Sequence, residues 1–416
     1  MVMIVRKAYK FKIKTNAREK QFFSKIAGCV RLVWNKSLAL QKANCEYINK
    51  QFAKLGGQSM RESEAKKLKK YLYKEYFPTG FDIITKALVP IWKQSEEFSF
   101  LNECPSQSLQ KPLGDLDKAF FKAFTKKSGF PKFKKKGNRD SIYFPQGFKV
   151  KGNKVFLPKL GWVKFFKTRN IEGIIKNITV SFDGYGNWHA SFCTEQEKNV
   201  EQRILDVNDI GIDLGITNFA AISNGRIIKK PKEIKNLSAI KKKVARAVSR
   251  KKKGGKNRQK AVLVLRKIEN KITNIRKDFL HKTSAILSKN HALIAVENLK
   301  ILNMSKSAKG TQELPGKNVK AKSGLNREIL ANGWGDFRTM LKYKQEYSGG
   351  VFLTVNPINT SRKCSCCGII DKNSRVRQEW YACLHCGQEI HADTNAAINI
   401  LAAGRVAIAC GDITSH

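Results

Sequence analysis

Four cysteines and three acids are the residues of this sequence whose types and spacing could do chemistry. Cys364-x-x-Cys367, then fifteen residues, then Cys383-x-x-Cys386, is the spacing of two knuckles closing on one tetrahedral ion. Gly368 and Gly387 follow the pairs directly, where a knuckle needs backbone freedom. Four thiolates leave no open position for water, so the implied Zn²⁺ is structural and not catalytic. Cys366 stands too close to Cys367 to serve as a second ligand, and His385 and His391 are weaker substitutes. The acids are Asp213 in GIDLG, Glu297 in ALIAVENL and Asp393 in HADTNAAINI. Strand alternation puts Ile210, Ile212 and Leu214 on one face and Gly211, Asp213 and Gly215 on the other. An acid between two glycines has room beside it for a hydrated cation and a phosphate. Glu297 ends an apolar run, where an acid must be paired, exposed or metal-bound. Asp393 follows Cys386 by seven residues and opens an alanine-rich run, where helix capping is the simpler role. Taken together, three carboxylates can hold two Mg²⁺ ions about 4 Å apart. That arrangement activates water for in-line attack on a phosphodiester and stabilises the leaving 3′ oxygen.

The elements around these residues follow from periodicity. NDIGIDLGITNFAAISNGRIIKK reads as two or three strands with a tight turn at Asn224-Gly225. Residues 231–290 read as a long basic helical region that includes RKKKGGKNRQK. ALIAVENL reads as a buried strand, LNREILANGWGDFRTMLKYKQEY as helix around its Gly-Trp-Gly interruption, and VFLTV as a further strand. At the front, AYKFKIK alternates, with Tyr9, Phe11 and Ile13 facing in and Lys10, Lys12 and Lys14 facing out. Asn16 and Glu19 form a capping pair for a helix carrying Phe22, Phe23, Ile26, Val30, Val33 and Leu38. Residues 60–125 read as mostly helical, broken near Pro78 and Pro105. From GFPKFKKKGNRDSIYFP (129–145) to about 195 the pattern is strand and turn. VFLPKLGWVKFF forms one hairpin; in another, Ile178, Val180 and Phe182 answer Trp188, Ala190 and Phe192. Aromatics among lysines in this stretch suit either a core or a nucleic-acid surface. A lone strand, a helical block and then more strands suggest one β-domain with a helical insertion.

Composition sets the partner class. The chain has 416 residues, enough for two or three domains, with 80 Lys and Arg against 33 Asp and Glu. A net charge of +47 spread along the chain points to a polyanion and not to a membrane surface. With 42% hydrophobic and 10% aromatic residues the chain folds and is not a basic tail. The start, MVMIVRKAYKFKIK, lacks the apolar core of a signal peptide, and no run is long enough to span a bilayer. Ten cysteines in a reducing setting favour metal over disulfides. The expected location is the cytoplasm, with nucleoid association.

GIDLG, VENL and HADTNAAINI resemble the three acidic motifs of a RuvC-type, RNase H-like nuclease. TSRKCSCCG, QEWYACLHCG and GWGDFRTMLKYK are similar to the matching segments of TnpB, the transposon-encoded RNA-guided nuclease related to compact type V CRISPR effectors. AYKFKIKT, CVRLVWNKSL and GFPKFKKK extend the resemblance to nearly the whole chain, more weakly. It implies an α/β multidomain protein: a wedge-like β-barrel (1–15 and 128–200), a helical recognition domain (16–127) and a RuvC-type nuclease domain (201–416) with a zinc ribbon inserted at 360–390. It also implies that Asp213, Glu297 and Asp393 bind two Mg²⁺ ions, with Mn²⁺ as a substitute, and that Cys364, Cys367, Cys383 and Cys386 bind Zn²⁺. The partners implied are a guide RNA and double-stranded target DNA cut beside a short motif, in a prokaryotic cell, with no protein partner required. Relatives often carry arginine where this chain has Ala392, so a basic helper at that position is missing. Three rival readings remain at this point: a nuclease-inactive repressor of the same fold, a transposase, and a zinc-ribbon binding protein with no chemistry, which leaves Asp213 and Glu297 unexplained. The order Asp, Glu, Asp favours the resolvase-like branch over the Asp, Asp, Glu order usual in cut-and-paste transposases.

Overall fold

The computed structural model describes residues 2–77, 79, 88–137, 140–205, 208–375 and 377–411. The break expected near Pro78 lies outside them. The chain divides into two compact units, Ile4–Glu197 and a second running from Lys198 onward with the first residues of the chain.

In the first unit β1 (Val2–Lys14) buries Tyr9, Phe11 and Ile13 and exposes the lysines between them. A capping box starts α1 (Ala17–Lys54): Glu19 N–H donates to Asn16 Oδ1, and Asn16 N–H donates to the Glu19 carboxylate, both at 2.8 Å. Its Phe23, Ile26, Val30 and Val33 face the sheet, and Phe23 packs on Trp188 with ring centroids 5.2 Å apart. The helical block continues with α2 (Glu62–Tyr76), α3 (Leu88–Gln94), a 3₁₀ segment (Glu96–Glu103) and α4 (Ser106–Phe124). Pro105 stands at the N-cap of α4, the expected break.

Strands β2 (Ser141–Phe144), β3 (Lys149–Lys151), β4 (Lys154–Leu157), β5 (Gly161–Phe165), β6 (Ile174–Phe182) and β7 (Trp188–Asn199) complete a seven-stranded sheet. Its order is β2-β6-β7-β1-β5-β4-β3. The register Ile178↔Phe192, Val180↔Ala190 and Phe182↔Trp188 is the one read from the alternation. The expected barrel is not a closed ring of hydrogen bonds: among the described residues β2 and β3 are the two edges. Helices α1 and α4 pack against β2, and Ser108 Oγ donates to Tyr143 O at 2.7 Å. Phe144, Phe165, Trp188 and Phe192 are core, whereas Phe130, Phe133, Trp162 and Phe166 are exposed, so the aromatics of this stretch divide between the two roles.

The second unit is built on five strands: β8 (Ile210–Asp213), β9 (Ala220–Ile222), β10 (Ile227–Ile228), β11 (Leu293–Glu297) and β12 (Val351–Val355). Their order is β10-β9-β8-β11-β12. Strands β8, β11 and β12 are parallel, and β9 and β10 return antiparallel through the Asn224-Gly225 turn. Every residue of β11 is buried, as a central parallel strand requires. The basic region folds as α5 (Lys232–Ser249) and α6 (Lys256–Asn290), packed on each other and separated by the lysine-glycine turn. A short α7 (Ile301–Met304) precedes α8 (Val319–Asn332) and α9 (Trp334–Ser348), which meet at Gly333 with φ 73°. After β12 come the cysteine segment with its two-stranded ribbon, β13 (Trp380–Ala382) and β14 (Glu389–His391), and then α10 (Ala392–Ala409). Helix α10 lies across β8, β9, β11 and β12.

Candidate functional site: three acids beside a four-cysteine cluster

Asp213 ends β8, Glu297 ends β11 and Asp393 stands in the first turn of α10. Parallel pairing of β8 and β11 brings the first two to the same end of the sheet. Burial above all, then the charges of Glu297 and Asp393, raises the pKa of Asp213 to about 7. Glu297 is 9% exposed, and burial raises its pKa against the opposing effect of the Thr360 hydroxyl, which donates to its carboxylate. Asp393 accepts from Asn218 Nδ2 at 3.4 Å.

Helix capping does not account for Asp393. The N-cap is His391, whose Nδ1 accepts from Asp393 N–H at 3.3 Å. The carboxylate of Asp393 sits inside the first turn and is left for other work.

Two features differ from the sequence expectation. Gly211 does not make room for a cation or phosphate: a Cβ there would meet Ala397 O at 2.1 Å and Leu401 N at 2.6 Å. A Cβ at Gly215 would meet Asn218 O at 2.8 Å. The glycines admit the α10 backbone and the turn carrying Asn218, so they bring Asp393 and its partner toward Asp213. The second feature is Arg375, which the spacing did not single out. Its guanidinium draws the Asp213 pKa down, against the larger effects of burial and of Glu297 and Asp393, and also donates to Gln378 O at 2.8 Å. Ala392 is 1% exposed and packs on Cys364 and Tyr381, so a cation is supplied here from the cysteine segment instead.

That segment is anchored on both sides. Ser374 is fully buried: its carbonyl accepts from Ala382 N–H at 2.8 Å and its hydroxyl from Leu384 N–H at 3.3 Å. On α10, Asn395 and Asn399 are one turn apart and almost fully buried. Asn399 Nδ2 donates to Thr360 O at 2.9 Å and Lys363 O at 2.7 Å. Asn395 donates to Lys363 O at 2.8 Å and accepts from Ser365 N–H at 2.9 Å. One helix therefore carries Asp393 and, through these amides, holds the Glu297 partner Thr360 and the chain entering the first knuckle. The asparagines were visible in the sequence only as polar positions, four apart, in an otherwise apolar alanine run. Asp209 is a further buried acid, but it accepts from Leu293 N–H at 2.9 Å and ties β8 to β11.

Sγ atoms of Cys364, Cys367, Cys383 and Cys386 all lie within 4.8 Å of one another. Cys364–Cys386 and Cys367–Cys383 are 3.6 and 3.7 Å apart. Tetrahedral zinc with bonds of about 2.3 Å needs sulfurs about 3.8 Å apart, so the donor set fits that ion. Backbone N–H groups of Cys386 and His385 hold the Cys383 thiol down, to about 6. Against the Ile369 backbone, desolvation and hydrogen bonds to the other three sulfurs raise its neighbour Cys367, so the cluster titrates as one set of thiols. Gly368 and Gly387 have φ of 76° and 72° in the knuckle turns. Cys366 is exposed and outside the cluster; His385 faces Asp371 at 3.4 Å and His391 caps α10, so neither histidine substitutes for a thiolate.

The fold and these residues define a mixed α/β protein with a zinc-ready cysteine cluster inserted ahead of its last helix. Family models match three stretches: "Probable transposase" of IS605 OrfB type at 191–308, "Cas12f1-like, TNB domain" at 334–400, and "Helix-turn-helix domain" at 1–49. Over the last stretch this chain folds as β1 followed by the single long helix α1. The chain is 38% identical to "Putative RNA-guided DNA endonuclease InsQ" of Escherichia coli (strain K12), over 98% of its own length and 94% of that protein. It is 29% identical to "Putative RNA-guided DNA endonuclease" of Streptomyces pristinaespiralis, over 99% and 92%. A cryo-EM structure of a Cas12f1–sgRNA–target DNA complex aligns at 14% identity over 96% of this chain and 99% of that one, with a TM-score of 0.48. The chain belongs to the TnpB (IS605 OrfB) family. Among the described residues no helix is long and apolar enough to cross a membrane.

Proposed function

We propose that this protein is an RNA-guided DNA endonuclease that hydrolyses phosphodiesters at Asp213, Glu297 and Asp393. The observation that carries the reading is the convergence of three acids: Asp213 and Glu297 end adjacent parallel strands, Asp393 stands in the first turn of the helix packed on them, and desolvation together with these two neighbouring carboxylates raises the Asp213 pKa to about 7. Three acids gathered from two strand ends and a helix start are unfavourable without a counter-charge. Hard carboxylate oxygens suit Mg²⁺ or Mn²⁺, so Asp213, Glu297 and Asp393 are the residues that would hold such ions. Bound there, divalent ions would lower the pKa of a water and offset charge at the scissile phosphate.

The chain's own groups divide the remaining work. Thr360 fixes the Glu297 carboxylate, Asn218 orients that of Asp393, and Arg375 supplies positive charge for the phosphate approaching Asp213. Zinc held by Cys364, Cys367, Cys383 and Cys386 would brace the loop that carries Arg375, a structural role. The five-stranded unit, residues 201–416, is read as the RuvC-type nuclease domain with the ribbon (360–390) inserted in it. The strands of the first unit (1–15 and 128–200) are read as the wedge and its helices (16–127) as the recognition domain. A net charge of +47 suits a channel for guide RNA and target DNA, where base pairing supplies sequence specificity and the protein reads duplex shape and a short flanking motif. The names of the relatives support this partner class. The test is cleavage of a matched duplex by the ribonucleoprotein with Mg²⁺. Loss of cutting in Asp213→Ala with target binding retained supports the reading, and unchanged cutting in that variant refutes it.

A further inference from the structure

Next to Asp393, and separate from the three carboxylates, lies a cleft of about 720 Å³ lined by Arg377, Gln378, Glu379, Trp380 and His391. Trp380 and His391 are cross-strand partners in the β13–β14 ribbon, so their rings stand on one face of it. Trp380 remains 44% exposed although its backbone is fixed. Arg377 and Trp380 exchange both N–H···O bonds at 3.4 Å, and Ala392 N–H donates to Glu379 O at 3.0 Å. A large aromatic ring left nearly half exposed outside the core clusters presents part of its flat face to a planar ligand. His391 accepts through Nδ1 from Asp393 N–H, which ties its ring to the start of α10 at the wall of the cleft. Arg377 adds a cation at the same rim.

We propose that this cleft seats one nucleobase of the single DNA strand presented to the carboxylates. Trp380 stacks on the base, the His391 ring meets its edge, and Arg377 meets a flanking phosphate. The inference rests on the nuclease reading and adds a positioning residue to it. A flat ring, an imidazole and a guanidinium suit a nucleotide, and a strand is the ligand that reaches both the cleft and Asp393, two residues from His391. Stacking tolerates any base, so the seat sets the phosphate that is cut and not the sequence.

The experiment compares wild type, W380F and W380A as full-length ribonucleoproteins in single-turnover cleavage, with cut positions mapped. A second arm records fluorescence of a single-stranded DNA oligonucleotide carrying 2-aminopurine, with Ca²⁺ in place of Mg²⁺. The expected result for W380A is cleavage slowed by about 5- to 150-fold, cuts spread to adjacent phosphates, target binding unchanged and quenching reduced. W380F is expected to keep the rate, the cut position and the quenching, because its ring still stacks. Wild-type cutting by W380A, equal loss in W380F, or quenching that is the same in all three proteins overturns the inference while leaving the nuclease reading intact. A wild type that does not cut sinks the nuclease reading instead, and the fluorescence arm then still decides whether the cleft holds a base.

Discussion

Replacing Asp213 with asparagine is expected to stabilise the protein above neutral pH when Mg²⁺ is absent, although it removes a carboxylate proposed to be catalytic. Burial first, and then Glu297 and Asp393, lifts the Asp213 pKa from 3.8 to about 7. The folded chain thus holds this proton more tightly than the unfolded chain. Its contribution to stability is complete below the unfolded pKa and is lost as pH rises through about 7. Over the whole interval the loss amounts to roughly 4 kcal/mol. Asparagine has nearly the same shape and no charge, so the variant lacks this slope. The gap between Asp213→Asn and wild type should widen by about 3 kcal/mol from about pH 5 to about pH 8. Calorimetric unfolding in resin-treated buffer without chelator keeps the zinc in place and removes Mg²⁺. Added Mg²⁺ should close the gap by stabilising only the wild type, since a ligand that binds the folded state raises its stability. Parallel stability profiles of the two proteins across this pH range would refute the burial and charge crowding assigned to Asp213.

Three further outcomes test how the site is held. Cys383→Ser should lose the roughly one zinc ion per chain expected of the wild type, measured by plasma mass spectrometry, and expose 360–390 to protease. Cleavage should fall as well, because Ser374 and hence Arg375 are anchored on the backbone of Ala382 and Leu384, either side of Cys383. Gly211→Ala drives a Cβ into the α10 backbone at Ala397, so it should destabilise the second unit by about 1–3 kcal/mol or more in urea unfolding. Asn399→Ala strips a donor from two carbonyls, Thr360 O and Lys363 O, and should cost about 1–3 kcal/mol in the same assay.

Much of this architecture was legible because burial imposes period. Ile178 and Phe192, or Tyr9 and Ile13, are placed by alternation alone, and the cysteine spacing restricts four sulfurs to one ion. What periodicity does not carry is the reason for a small or polar residue. The glycines beside Asp213 read as ligand space, whereas the close approach of a helix from nearly two hundred residues away explains Gly211 and the tight turn to Asn218 explains Gly215. Asp393 read as a possible cap because capping is local, but the histidine two residues before it fills that role. Arg375 and Asn399 act through a loop and a helix that meet only in the folded chain, so no local pattern marks either.

The most direct test of the account is cleavage by the purified protein with its copurifying RNA, a matched DNA duplex and Mg²⁺. Wild type is predicted to cut, and Asp213→Ala, Glu297→Ala and Asp393→Ala are each predicted to bind the target and leave it intact. Cutting that survives in any one of the three variants would contradict a shared carboxylate site.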